Sequence, residues 1–281
     1  MTLRARAPGK VNLCLYVGEP RADGLHPLVS VVQALSLADA LTLEPAGEHD
    51  EVVCPGVEGP NLAARALALF REATGWDGPP QRLTIEKRIP VAAGMGGGSS
   101  DAAATLRLAA HAAGRPVPED LAPRLGADVP SLLRPGRVLM TGAGEHVDRL
   151  AEPGALGVLV LPVDAELATP AVYREADRLG LARSHAQLAE LDARVRAAPD
   201  AAIHNDLQDA ARSLCPAIDA ALAAARDAGA DHALVSGSGP TVVGVFLGTE
   251  GPGRARAAAG AWPRAFAAEP VDEEWARVVL A

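Results

Sequence analysis

Gly94-Met95-Gly96-Gly97-Gly98-Ser99-Ser100 puts four glycines within five residues and then two hydroxyls. The chemistry open to such a run is that of bare backbone N–H groups and short polar side chains. A run of glycines has no use inside a strand or helix, but it suits a loop whose backbone must come close to something. The segment behind it, residues 101–110, is rich in alanine and leucine and reads as a helix. Ser99 and Ser100 then fall where an N-cap is wanted. A helix start offers N–H groups without helical partners and the positive end of the dipole. Together these features describe an anion site, and the usual anion is phosphate. The plainer alternative, a tight turn that only lets a helix pack, needs one or two such residues rather than four.

Two kinds of residue stand out elsewhere. Of 26 basic residues only Lys10 and Lys87 are lysine. In a chain that uses arginine almost everywhere, a lysine marks a place for a compact ammonium, with chance as the alternative. Asp128 lies in the otherwise apolar run Gly126-Ala127-Asp128-Val129-Pro130. A turn-forming aspartate is the simpler reading of that position.

Several familiar sites are excluded. No lysine follows the glycines, as a Walker A loop requires. Ser99 stands where the dinucleotide fingerprint needs its last glycine. No serine lies in Gly-x-Ser-x-Gly, which removes the nucleophile elbow. The net charge of -9 and the absence of a basic tract argue against nucleic acid. Cys14, Cys54 and Cys215 are odd in number and widely spaced, which suggests a reducing compartment rather than a disulfide framework. The seven histidines form no His-x-x-x-His pair, so no protein metal site is expected. No apolar stretch reaches ~18 residues, so neither a leader nor a membrane span is expected, and the location expected is cytoplasmic.

These residues need elements to hold them. Residues 83–89 alternate and read as the strand that feeds the glycine loop. Residues 2–7 read as a short strand, and a second strand carries Lys10 and ends at Val17. A polar loop, 18–26, precedes two further strands, 28–37 and 39–44, and a short one at 51–54. Asn61 caps a helix over 62–73, and Gly114 stops the helix behind the loop. A strand at 138–141 and a turn at Gly142-Ala143-Gly144 follow. From residue 156 a new unit begins with a buried strand, 156–161, and helices over 170–179, 184–197 and 206–228. Strands 233–235 and 241–246 flank Ser236-Gly237-Ser238-Gly239-Pro240, and a helix at 254–261 and a strand at 265–269 close the chain. Helices on one antiparallel sheet give an α+β, ferredoxin-like unit. At 281 residues, two domains are expected, 1–153 and 154–281.

Three motifs now stand in order: Pro8-Gly9-Lys10-Val11-Asn12-Leu13, the stretch from Pro90 through Gly94 and Ser100 to Ala102, and Ser236-Gly237-Ser238-Gly239-Pro240-Thr241. Together they resemble the three motifs of the GHMP kinase superfamily, over nearly the whole chain. The likeness is narrower still, to the branch that acts on a cytidine diphosphate derivative of methylerythritol. It rests on Arg21-Ala22-Asp23-Gly24-x-His26, Ile85-Glu86-Lys87-Arg88-Ile89-Pro90, Gly126-Ala127-Asp128-Val129-Pro130 and Asn205-Asp206-Leu207.

The resemblance implies an α+β, two-domain GHMP kinase fold, with an N-terminal mixed α/β domain that bears the glycine-rich phosphate loop and a C-terminal ferredoxin-like domain. It implies ATP with Mg²⁺ held mainly by the nucleotide, and transfer of phosphate to the 2-hydroxyl of the small-molecule substrate. Lys10 and Asp128 are the implied catalytic pair. Transfer to an alcohol needs in-line positioning, neutralised phosphate charge and a base for the hydroxyl proton, which fits them. The implied ATP-binding residues are Asn61, Lys87, Pro90, Val91, Ala92, Ala93, Gly94, Met95, Gly96, Gly97, Gly98, Ser99 and Ser100. The implied substrate-binding residues are Asn12, His26, Tyr173, Gly237 and Ser238, with His26 on the cytosine edge and Tyr173 stacked on its ring. Lys87 has an alternative as a lysine reaching past apolar strand neighbours. Asp101 has one as a plain helix N-terminal charge.

Leu25 stands where the branch usually has tyrosine, Pro27 replaces an acidic residue, and Asp101 stands where asparagine is common. Leu25 keeps open a GHMP kinase for another small alcohol, homoserine or a mevalonate derivative. A nucleotide-binding protein of this fold without catalysis is the third reading, opposed by the presence of both Lys10 and Asp128. Partners expected are the two small molecules, with neither nucleic acid nor membrane, in a monomer or weak homodimer.

Overall fold

The computed structural model describes residues 1–90, 94–262 and 264–281. Its first element, β1 (Leu3–Val17), opens with Leu3 and Ala5 inward and Arg4 and Arg6 outward. From Ala7 to Leu15 every residue is buried, because this half of the strand runs between layers. β2 (Leu28–Pro45) pairs antiparallel with it along almost its whole length. Each of these is one long strand where two short ones were expected. The Pro8-Gly9 break that suggested a strand end is a register shift, and a second lies between Asn12 and Cys14. Bulges of this kind bend and re-aim a strand without ending it.

β3 (Glu51–Val53) and α1 (Leu62–Thr74) lead to β4 (Gln81–Glu86), which pairs with both β2 and β3. α2 (Gly97–Ala113) follows the glycine loop. Its Ala102, Ala103, Ala104, Leu106, Leu108 and Ala109 are fully buried. The small side chains let the helix lie close against Leu3, Leu41, Leu83 and Ile85 of the sheet on one side and Ala66, Leu67 and Phe70 of α1 on the other. Each large apolar side chain enclosed there contributes about 1.5–3 kcal/mol. Two short helices, α3 (Leu121–Leu125) and α4 (Val129–Leu133), precede the hairpin of β5 (Arg137–Thr141) and β6 (His146–Arg149), and β5 joins the sheet beside β2.

The second unit contains β7 (Leu156–Leu161), α5 (Thr169–Leu179), α6 (His185–Ala197), β8 (His204–Asn205), α7 (Gln208–Leu214) and α8 (Ala217–Asp227). It continues with β9 (His232–Val235), β10 (Val242–Leu247), α9 (Gly251–Gly260) and β11 (Phe266–Ala268). The helix expected over 206–228 is two helices. Pro216 has no N–H to continue the first and sits at the start of the second. Among the described residues the second sheet has the order β11-β7-β10-β9, all antiparallel, with helices on one face. Its other face meets the first sheet. Val158, Val160, Val243 and Val245 share one apolar cluster with Val11, Leu13, Val29 and Val31. Two short pairings were not foreseen: β8 runs parallel to β1, and β12 (Val279–Leu280) brings the C-terminus back to the outer end of β1.

Candidate active site

Lys10 and Asn12 are two apart on β1 and therefore share a face. The Lys10 ammonium donates to Asn12 Oδ1 at 2.8 Å. Asn12 Nδ2 donates to Ser30 Oγ at 2.8 Å, and Ser30 Oγ donates to the Cys14 carbonyl at 2.6 Å. That last bond consumes the hydroxyl proton, so Ser30 must accept from Asn12, and the Asn12 amide can only turn its oxygen to Lys10. Lys10 is thus fixed from behind, 5% exposed. Its nitrogen lies 3.5 Å from Asp128 Oδ2. Asp128 stands at the residue before α4 without a capping bond from its side chain, which is 35% exposed to the cavity and solvent.

The glycine loop is tied to the same strand. The Lys10 N–H donates to the Met95 carbonyl at 2.9 Å, and Ser100 Oγ donates to the Pro8 carbonyl at 2.7 Å. Gly96, at φ 67°, is the N-cap of α2. A side chain there would sit 3.1 Å from Lys10 Cγ. A Cβ on Gly94 would lie 2.7 Å from the Gly239 carbonyl oxygen, so the second and third motifs touch backbone to backbone. Asn205 Nδ2 holds the third motif by donating to the carbonyls of Val235 at 2.7 Å and Gly237 at 2.8 Å. The opening amides of α2 have no partners earlier in their own helix, and α2 is long enough for a full dipole.

The loop separates two cavities. One, of about 280 Å³, is lined by Lys10, Asn12, Asp128, Tyr173, Gly237 and Ser238. The other, of about 380 Å³, is lined by Asn61, Lys87, Pro90, Met95, Gly97 and Gly98. Gly94, Gly96 and Ser99 face both. A molecule with an anionic tail can therefore lie in the second cavity and present the tail across the loop to Lys10 and Asp128 in the first.

In the second cavity Lys87 bridges two carboxylates, Asp39 at 2.5 Å and Asp101 at 2.7 Å. It is a paired cation, not a strand lysine reaching to solvent. Asp101 is buried rather than a plain helix-start charge. Burial pushes its carboxyl up to about 7 against the pull of Lys87, with Asp39 adding to the rise. Asn61 Oδ1 accepts from Ala63 N–H at 2.8 Å, capping α1 as expected, while the residue also lines this cavity. Burial, with the Asp128 charge behind it, pushes the Tyr173 phenol up to about 12, so it enters the first cavity as a neutral ring.

Some expected site residues lie elsewhere. Ser99 and Ser100 are not caps, because the helix starts earlier, at Gly97, behind Gly96. Ser100 is buried on Pro8 and faces neither cavity. His26 is not on the wall of the Lys10 cavity. Its Nδ1 donates to the Gly18 carbonyl at 2.9 Å, its Nε2 lies 3.4 Å from Asp177, and its ring backs Tyr173 at 5.1 Å. Val91, Ala92 and Ala93 lie outside the described residues. The sequence reading missed Ser30, Asp39 and Thr169, whose hydroxyl bonds Ser238 Oγ at 2.9 Å. A polar residue in an apolar strand was the available signal for Ser30 and Asp39.

Among the described residues no three histidine, cysteine or carboxylate side chains converge as a metal site. No helix among them is long and apolar enough to cross a membrane.

Comparison with known proteins gives concordant results. The families described as GHMP kinases N terminal domain and GHMP kinases C terminal match residues 61–132 and 182–268. The chain is 43% identical over 269 residues to the 4-diphosphocytidyl-2-C-methyl-D-erythritol kinase of Streptomyces coelicolor, covering 89% of each. A crystal structure of 4-(cytidine 5'-diphospho)-2C-methyl-D-erythritol kinase superposes with a TM-score of 0.78 at 36% identity, covering 95% of this chain and 98% of that one. Homoserine kinase from Cytophaga hutchinsonii superposes with a TM-score of 0.68 at 16% identity, over 99% and 97% of the two chains, a likeness of fold alone.

Proposed function

The chain belongs to the GHMP kinases, and from that premise we propose that it transfers the γ-phosphoryl group of ATP to the 2-hydroxyl of 4-diphosphocytidyl-2-C-methyl-D-erythritol, a step of the non-mevalonate route to isopentenyl diphosphate. The observation that carries this reading is the 3.5 Å contact of Lys10 with Asp128 in a cavity whose wall is the glycine loop. The nucleotide occupies the second cavity, and its phosphates cross the amides of Gly94 to Ser99. The cytidyl alcohol occupies the first, with its base stacked on Tyr173, which His26 braces, and its hydroxyl directed at Asp128.

In the reaction the alcohol oxygen attacks the γ-phosphorus, the bond from that phosphorus to the ADP oxygen breaks, and the hydroxyl proton passes to Asp128. Lys10 bears on the charge that gathers between the attacking oxygen and the moving phosphoryl group. Its fixed position costs no rearrangement at that moment, since Asn12 and Ser30 already hold it. The hydroxyl of Ser99, which faces both cavities, would help hold a Mg²⁺ carried in on the nucleotide, with most of its coordination from phosphate and water. Such an ion would neutralise phosphate charge. ATP and a soluble small-molecule acceptor suit the cytoplasm.

Leu25, 52% exposed, is not on the wall of the Lys10 cavity, and a second reading, with homoserine or a mevalonate derivative as acceptor, is not favoured: the relative at 43% identity is named for the cytidyl substrate, while homoserine kinase shares only the fold. Mass analysis of products after incubation of each alcohol with Mg-ATP separates the two. Phosphate on the 2-hydroxyl of the cytidyl substrate alone supports the first. Turnover of homoserine or mevalonate in its absence overturns it.

A further inference from the structure

Asp39 lies in the middle of β2 and its side chain is fully buried. A carboxylate there is costly to the fold unless every lone pair is used. Its uses all point one way along the chain. The backbone ladder between β2 and β4 ends at Ala40 and Glu86. Just beyond, Asp39 Oδ1 accepts from the N–H groups of Arg88 at 2.5 Å and Ile89 at 2.8 Å, and Oδ2 accepts from the Lys87 ammonium at 2.5 Å. One side chain thus replaces the ladder over the last residues before the glycine loop and bends them out of the strand. The residues so held press on the start of α2. A Cβ on Gly97 would meet Ile89 Cγ2 at 3.2 Å and Lys87 Nζ at 3.4 Å.

We propose that Asp39 is a positioning residue for nucleotide binding, which acts by fixing the Lys87 ammonium and the 88–89 turn against the first residue of α2. It reaches neither cavity wall itself. Asp101 holds the same ammonium from the helix side at 2.7 Å, so Lys87 is suspended between β2 and α2. Two of its three N–H groups are spent on these carboxylates, and one remains on a side chain that lines the second cavity. A buried ion pair is poor evidence of a gain in stability. What this one supplies is a fixed location for a long, flexible cation, at the wall where the nucleotide is placed. Lys10 and Asp128 lie across the loop, outside this network.

The inference rests on ATP occupying the second cavity, and the test treats the two claims separately. Asp39→Asn keeps the size of the side chain and one oxygen for the backbone N–H groups, but it loses the charge that holds Lys87. ATP dissociation constants are measured by equilibrium titration for the parent protein, Asp39→Asn, Lys87→Gln and the double variant, together with kcat and the KM of each substrate. The expected result is a rise of about tenfold in ATP Kd and KM for Asp39→Asn, kcat and the alcohol KM within about twofold, and a double variant no weaker than Lys87→Gln alone. Unchanged ATP affinity in Lys87→Gln would remove the nucleotide from this cavity. Weakened binding in Lys87→Gln with none in Asp39→Asn would overturn the role of Asp39 and leave the site standing. Equal losses for both substrates, or an Asp39→Asn chain that does not fold, would make Asp39 a folding residue and overturn the proposal as well.

Discussion

Lys10 and Asp128 differ in what a substitution does to them, because one is enclosed and the other open. Lys10→Met keeps the length of the side chain but leaves Asn12 Oδ1 without its donor. The expected cost is about 1–3 kcal/mol in stability, seen in a denaturant midpoint, and about 10²–10³ in kcat. Ser30→Ala ends the chain of bonds that orients the Asn12 amide. It should cost about 1 kcal/mol and lower kcat, since it loosens Lys10, which Ser30 holds through Asn12; unchanged kcat would deny Ser30 that role. Asp101 makes a prediction of the opposite kind. Burial raises its carboxyl from the ordinary 3.8 to about 7. Between those values the folded chain holds a proton that the unfolded chain has released, so stability falls as pH rises through that window. Asp101→Asn should flatten the decline of Tm from pH 4 to pH 7, and an unaltered slope would show that the proton sits elsewhere.

At the scale of elements, the turn into α2 matters most. Gly96→Ala would force a side chain into left-handed backbone at φ 67°, against Lys10 Cγ. The backbone cost alone is about 1–2 kcal/mol, and thermal melts should show at least that, with a higher KM for ATP. A variant with parent Tm and KM would mean that the turn is not tightly held. The location of this turn was legible in its four glycines, but the identity of the cap was not. Serines are good caps, yet nothing in a run of glycines tells which one takes the left-handed conformation and starts the helix early. Pro216 was a visible break inside an apparent long helix and should have divided it. The early end of β4 had no local signal, because the group that ends it, Asp39, is 48 residues away from Lys87 in sequence. For the same reason the two-residue pairings of β8 and β12 with β1 could not be read from the chain.

At the scale of the whole molecule, the face-to-face packing of the two sheets makes one apolar core. Leu35, fully buried in it, reports on both. Leu35→Ala should cost about 2–5 kcal/mol and lower a single unfolding transition, one that far-UV dichroism and tryptophan fluorescence trace alike. Two separate transitions would show that the sheets unfold independently. The meeting of Lys10, the glycine loop and Gly237 was expected from three motifs in order, since separated motifs of one site must converge. What order alone could not show is where neighbouring side chains turn. Ser100 faces Pro8 and His26 faces Gly18, so two of the expected contacts point away from the Lys10 cavity.

The most direct test of the account is single-turnover transfer from Mg-ATP to 4-diphosphocytidyl-2-C-methyl-D-erythritol by the parent protein and by Asp128→Asn. ATP affinity is titrated on the same two samples. The account predicts that the parent forms the 2-phosphate and that Asp128→Asn loses at least about 10²-fold in rate while binding ATP within about twofold of the parent. A variant that transfers phosphate at the parent rate would contradict it.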